Sequence, residues 1–194
     1  MNIGIFGGCF NPPHNMHKQI AMDLIEKKYL DKVIFLPTGN TYKKADLIGL
    51  EERIAMLNIL LNDKAFEVSD ISKDEKYKYT FEALDYYHEK NKEDTFYFIC
   101  GTDNLKEFDT WKNYEYILSN YKLLVIPRNN DDINEIISKY NEYSKNILIA
   151  DINQNLVSST TVRNYIKLGK KEELIKLMDK EVLEYILSKG LYKI

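Results

Sequence analysis

Ile3-Gly4-Ile5-Phe6-Gly7-Gly8-Cys9-Phe10-Asn11-Pro12-Pro13-His14-Asn15-Met16-His17 opens on a β-rich apolar run, turns through paired glycines and prolines, and delivers two histidines to the start of an amphipathic segment. From Met16 to Lys28, Ile20 and Leu24, with Ala21 and Ile25 one helical step away, define one apolar face. Strand, glycine turn and helix in that order begin a parallel sheet covered by helices. The alternation continues outward. Strands are predicted over 33–36, ended by Pro37, over 66–68, over 95–100, stopped by Gly101, over 121–126, ended by Pro127, and from 147 to 149. Helical spacing recurs over 50–61 through Ile54, Leu57 and Leu61, and again from Thr80, whose hydroxyl suits a cap, to about Asn91. Three more helical stretches follow, at 159–168, 171–177 and 179–188, while 69–79 reads as polar and irregular.

Composition narrows the class. The chain has 194 residues, 44% apolar and 12% aromatic, which excludes disordered, collagen-like and coiled-coil architectures. Its 27 Lys plus Arg against 30 Asp plus Glu give a net charge of −3 with both signs interspersed, so a broad basic surface for nucleic acid is not expected. Met1 to Gly8 lacks the pattern of a signal peptide, and no apolar run reaches the roughly 20 residues that span a bilayer, so a cytoplasmic protein without a membrane partner is expected. Cys9 and Cys100 are too few for a disulfide framework and read as small packing residues near strand ends. No internal repeat or linker interrupts 1–194.

The glycines locate the ligand end of the sheet. Gly7, Gly8, Gly39 and Gly101 each fall just after a predicted strand, where the crevice of an open parallel sheet lies. His14 and His17, three apart at a helix start, project to nearly the same side, and imidazole donors beside a helix amino terminus suit phosphate. A histidine satisfied by local hydrogen bonds and a two-histidine metal site are the competing readings; the second lacks further ligands beside the pair and the H-E-x-x-H pattern. Neither G-x-x-x-x-G-K-[ST] nor G-x-G-x-x-G occurs. A second segment, Val157-Ser158-Ser159-Thr160-Thr161-Val162-Arg163, offers a hydroxyl cap, free amides and an arginine about one turn into a helix. A cation there opposes the helix dipole, and a bound anion would relieve the conflict. Taken alone, the segment also reads as a capped helix with an exposed Arg. Lys43 and Lys44, in the long polar connection after the second strand, read equally as a solvated pair or an anion contact. Asp103 reads as readily as a helix cap, Trp111 as a core residue, and His88 as a surface group.

Gly7, Gly8, Phe10, Pro12 and the His14/His17 pair resemble the first signature of the nucleotidyltransferase superfamily, a Gly-rich turn leading to H-x-G-H, with Met16 in the glycine's place. Residues 157–163 resemble its other signature, I-S-S-T-x-I-R. Tyr79-Thr80-Phe81-Glu82-Ala83-Leu84, Gly101-Thr102-Asp103-Asn104 with Trp111 beyond it, and the stretch from Val182 to Tyr192 are similar to bacterial nicotinate-nucleotide adenylyltransferases. The resemblance implies transfer of the adenylyl group of ATP, carried with Mg2+, to nicotinate mononucleotide, giving deamido-NAD and pyrophosphate. It implies catalytic roles for His14, His17 and Arg163, and ATP or phosphate contacts from Gly7, Gly8, Phe10, Lys44, Gly101, Asp103, Ser158, Ser159 and Thr160. It places Thr80 and Trp111 at the mononucleotide, with no protein ligand to the metal. Transfer to nicotinamide mononucleotide or to pantetheine phosphate, and a non-catalytic nucleotide sensor, are the alternatives, whereas a class I aminoacyl-tRNA synthetase would need space for tRNA-binding domains. The sequence leaves the choice between acid and amide, and a homo-oligomer, open. The fold class expected is α/β, a Rossmann-like parallel sheet flanked by helices, as a single nucleotidyltransferase domain with a small helical C-terminal extension at 159–194.

Overall fold

The computed structural model describes residues 1–42, 46–128, 131–152 and 157–192. Six parallel strands, β1 (Asn2–Gly8), β2 (Lys32–Pro37), β3 (Phe66–Val68), β4 (Thr95–Gly101), β5 (Lys122–Ile126) and β6 (Ile147–Ile149), form one sheet in the order β3-β2-β1-β4-β5-β6. The strands form because apolar side chains alternate between two covered faces. Val33 and Phe35 join one core cluster while Ile34 and Leu36 join the other, and β4 and β5 divide likewise, with Ile99 and Leu124 opposite Phe98 and Leu123. The order reverses between β1 and β4, where Ile3 to Phe6 run beside Phe96 to Ile99, so a crevice opens at the carboxyl ends of these two strands.

Helices α1 (Asn15–Glu26) and α2 (Leu50–Leu60) cover one face together with α7 (Ser159–Lys167), α8 (Lys171–Leu177) and α9 (Lys180–Lys189). Val162, Ile166, Leu174, Val182, Leu183 and Ile186 pack into the same cluster as Ile20, Ala21 and Leu24 of α1. Helices α3 (Thr80–Lys90), α4 (Thr102–Lys106), α5 (Tyr114–Asn120) and α6 (Ile133–Ser138) lie over the other face, where Cys100 is buried. Among the described residues no helix is long and apolar enough to cross a membrane.

Several local expectations are corrected. Helix α1 stops at Glu26 rather than Lys28, which takes φ 62°. On α2 the buried residues are Leu50, Arg53, Met56, Leu57 and Leu60, while Ile54 is only half-buried. Arg53 is fully buried because its guanidinium donates to the carbonyls of Ile48, Cys9 and Thr38, tying the loops after β1 and β2 together. Thr80 does not cap α3. Tyr79 is the cap residue, and Glu82 reaches back to accept from the Tyr79 N–H at 2.8 Å, a carboxylate being the stronger acceptor at a positive helix end. Residues 69–79 hold two 3-10 turns, Ile71–Lys73 and Glu75–Tyr77.

Candidate active site

A cleft of about 1180 Å³ lies over the carboxyl ends of β1, β2 and β4. Gly7, Gly8, Phe10, His14 and His17 form one wall, with Ser158, Ser159, Thr160 and Arg163 at the start of α7 beside them. Gly101 and Asp103, after β4, line it as well, as do Thr80 and Trp111. Lys44 lies outside the described residues. A smaller cavity of about 290 Å³ sits at the amino ends of the strands, where Met1 pairs with Asp94 and Lys32 with Glu67.

The histidines are fixed by the helix that carries them. His14 is the cap residue of α1 in extended conformation, and its N–H donates to Nδ1 of His17 at 3.1 Å. An imidazole that accepts at Nδ1 carries its proton on Nε2 when neutral, so His17 offers an N–H donor from its other edge. The two rings lie 3.8 Å apart between centroids, and Phe10, held at φ 46°, packs edge-on against His17 at 5.0 Å. His14 is 3% exposed, and its Nδ1 is buried with no hydrogen-bond partner among the described residues. Such an atom is costly unless something else meets it. Burial, and next the positive charge of Arg128, push the His14 pKa down to about 4. His17 is held well below its ordinary value by burial, then by His14 and Arg128.

A neutral buried histidine makes stability depend on pH with a defined sign. Below its unfolded pKa of 6.5 the unfolded chain takes up a proton that the folded chain refuses until about pH 4. Stability of the ligand-free protein is therefore expected to fall as pH drops through this window, by on the order of 2–3 kcal/mol from His14. Urea unfolding of wild type and His14→Gln at pH 7 and pH 4.5 checks this: the wild type should lose more. An equal loss in both would remove His14 as the source.

The start of α7 is locked onto the β1–α1 loop. Ser158 caps the helix by accepting from the Thr161 N–H at 3.1 Å, and the Ser159 hydroxyl donates to the Pro12 carbonyl at 2.9 Å. Arg163 is buried, not exposed: it donates to the Asn11 carbonyl at 2.7 Å and to Thr160 Oγ1 at 3.2 Å. Among the nine described α-helices, seven carry an acidic residue in the first turn, and α1 and α7 carry none. Both of these helix ends, left without a first-turn carboxylate, open on the cleft.

On the opposite wall Asp103 pairs with Arg128 at 3.2 Å, and the Thr102 hydroxyl accepts from the Arg128 N–H at 2.9 Å. Gly101 makes room for this pair, since a Cβ there would overlap an Asp103 carboxylate oxygen and stand 2.7 Å from Arg128 Nε. Trp111 is half-buried, tilted against Phe108 at 4.9 Å and edge-on to Phe98 at 5.7 Å, so its core contacts and its place in the cleft coexist. Sequence reasoning missed Arg128 and Asn11. The only signal for Arg128 was a charged residue directly after a buried strand and Pro127.

Residues 5–165 match the family model described as cytidylyltransferase-like. A probable nicotinate-nucleotide adenylyltransferase of Clostridium novyi is 34% identical over 198 residues, covering 98% of each chain. The chain belongs to the nicotinate-nucleotide adenylyltransferase family. A second such relative, from Clostridium acetobutylicum, is 33% identical with 97% of each chain covered. The fold of the family is also that of the Plasmodium falciparum nicotinic acid mononucleotide adenylyltransferase complexed with NaAD, with a TM-score of 0.82 over 98% of this chain and 97% of that one at 20% identity. Membership of this family fits a cleft in which both superfamily signatures share one wall. Met16, at the position of the motif glycine, is half-buried and itself lines the cleft.

Proposed function

We propose that this chain transfers the adenylyl group of ATP to nicotinate mononucleotide, releasing pyrophosphate. The observation that carries the reading is the convergence on one cleft of the histidine pair, the two uncompensated helix ends and Trp111. A phosphate oxygen of the mononucleotide forms a bond to the α-phosphorus, the bond from that phosphorus to the bridging oxygen breaks, and its electron pair leaves with pyrophosphate. The attacking phosphate is already anionic, so no side chain need remove a proton. The protein aligns the two reactants and meets the growing charge. His17 Nε2–H and His14 supply donors to the triphosphate, with the amides of Gly8 and Phe10 close by. The first turn of α7, through Ser158, Ser159, Thr160 and Arg163, holds phosphate oxygens. Asp103, steadied by Arg128, faces the nucleotide from the Gly101 side.

Among the described residues no group of three or more His, Cys, Asp or Glu side chains is arranged to hold a metal ion, and Asp103 is engaged with Arg128. Mg2+ accordingly enters as part of the MgATP substrate, and no step is routed through a protein-bound metal. Incubating the protein with MgATP and nicotinate mononucleotide should yield deamido-NAD and pyrophosphate. Product only with pantetheine phosphate would move the chain to another branch of the superfamily, and binding without product would make it a sensor.

Trp111 gives a narrower check. A flat indole lining the cleft suits the pyridine ring, and aromatic pairing contributes about 0.5–1.5 kcal/mol beyond area. Trp111→Ala should raise KM for the mononucleotide about tenfold or more, with ATP binding nearly unchanged, because contact area is lost as well as ring pairing. Trp111→Phe should recover much of this. Equal weakening of both substrates together with lower thermal stability would leave Trp111 a core residue only.

A further inference from the structure

Interiors ordinarily give a buried charge a partner of opposite sign. Arg53 on α2 is fully buried, yet among the described residues no carboxylate lies within salt-bridge distance of it. Its Nε donates to the Ile48 carbonyl at 3.0 Å, Nη1 to the Cys9 carbonyl at 3.0 Å, and Nη2 to the Thr38 carbonyl at 2.6 Å. The acids beside it in sequence face elsewhere: Glu51 pairs with Lys73 at 3.1 Å, and Glu52 accepts from the Tyr185 hydroxyl at 2.6 Å. Carbonyl dipoles satisfy the donors but leave the unit charge in place, and a guanidinium does not shed its proton. Cys9 and Thr38 line the cleft while Arg53 does not, so one layer of backbone separates this charge from the cleft. Beyond Phe10 the Asn11 carbonyl receives Arg163, which is also buried and also lacks a carboxylate among the described residues. Of the 27 basic residues only Arg53, Arg128 and Arg163 are arginines. Two of them line the cleft and the third stands behind its wall.

We propose that Arg53 is a positioning residue for the polyphosphate of the nucleotide: its fork draws the Cys9 and Thr38 carbonyls back from the cleft, and the bound phosphates are the counter-ion of its charge. This rests on the reading that the cleft takes ATP, and it names a buried group that sets the preference for phosphate. A carbonyl oxygen turned toward a phosphate would repel it. The fork removes two such oxygens from the phosphate side, and the Thr38 N–H donating to the Gly8 carbonyl at 2.9 Å ties a third inside the same wall. Water is excluded around the guanidinium, so its field is screened less than that of an exposed lysine. The attraction grows with each phosphate charge set against it.

The test is the Kd series for adenosine, AMP, ADP and ATP, measured by calorimetry without Mg2+ so that the full phosphate charge is present. Wild type should bind more tightly with each added phosphate. Arg53→Met removes charge and donors together, whereas Arg53→Gln removes the charge and keeps an amide able to donate. Both should weaken ATP about tenfold or more, AMP less, and adenosine hardly at all. A residue that merely braces the loops would weaken all four ligands alike, and that result, or an unchanged ATP-to-adenosine ratio, overturns the proposal. Should neither variant fold, wild type alone still decides. Its three arginine Nε–H resonances can be followed by NMR, and that of Arg53, held on the Ile48 carbonyl, should shift with ATP and with inorganic tripolyphosphate but not with adenosine. An equal shift with adenosine, or none with ATP bound, overturns the proposal. A steep wild-type series that survives in both variants removes Arg53 and leaves the adenylyl transfer intact. Wild type that fails to bind ATP would overturn both.

Discussion

Replacing His17 by alanine should lower kcat by about 10²–10³-fold while ATP still binds, because a preorganised donor to charge that develops during bond breaking contributes about 2.7–4 kcal/mol. The structure gives the donor a definite edge. Nδ1 is occupied by the His14 N–H, so Nε2 carries the proton of the neutral ring. Burial keeps that ring uncharged in the ligand-free state. His17→Asn retains an amide able to accept from the His14 N–H and should preserve the helix start better than alanine, yet it should recover little of kcat if the distal N–H matters. Rapid-quench single-turnover kinetics at saturating ATP measures the chemical step directly. A near wild-type rate for His17→Ala would end the assignment and leave His17 as a helix cap.

The second large effect is expected at Arg163. Among the described residues two of its five N–H donors are engaged, with the Asn11 carbonyl and Thr160 Oγ1, so further donors of the fork can turn to phosphate oxygens. Lysine offers one mobile ammonium in place of the fixed fork and cannot hold both partners and an anion in the same geometry. Arg163→Lys should therefore lower kcat/KM for ATP by about tenfold to a hundredfold, the size of a lost charged hydrogen bond of ~1.5–3 kcal/mol. It should also cost some stability, since the buried Asn11 carbonyl loses a strong donor. Melting curves with and without ATP separate the two consequences. A lower Tm with unchanged kcat/KM in the folded fraction would make Arg163 a brace between two loops and no more.

The parts of the molecule that were legible in the sequence are those whose side chains repeat with a period. The six strands and the helices α1, α2, α3 and α7 to α9 follow from alternation or helical spacing, and the glycines after β1, β2 and β4 mark the end of the sheet where the cleft lies. Helices α4, α5 and α6, with 5, 7 and 6 residues, were not; α8 is as short as α5, but it lies in a continuous run of helical spacing between α7 and α9, whereas these three are isolated among turns. Arg53 was missed for a different reason: composition places arginine on the surface, and only the three-dimensional meeting of carbonyls from Cys9, Thr38 and Ile48 explains its burial. The same holds for Arg163, read on its own as exposed. Both motif segments were readable singly, but the hydrogen bonds from Ser159 to Pro12 and from Arg163 to Asn11 span 147 and 152 residues, a separation no local pattern encodes.

Asn11 joins these parts. Its side chain donates to the Asp46 carbonyl at 2.8 Å and accepts from the Ile48 N–H at 3.3 Å and the Tyr192 hydroxyl at 2.9 Å, while its own carbonyl receives Arg163. Tyr192 lies 181 residues downstream. On a ribosome adding about 5–20 residues per second, the histidine loop emerges roughly 10–40 seconds before the phenol that anchors it. The strands around it can pair in that interval, but the loop's last tether is still unmade. The histidine loop therefore stays without this tether until Tyr192 has been made, well after the strands around it have emerged.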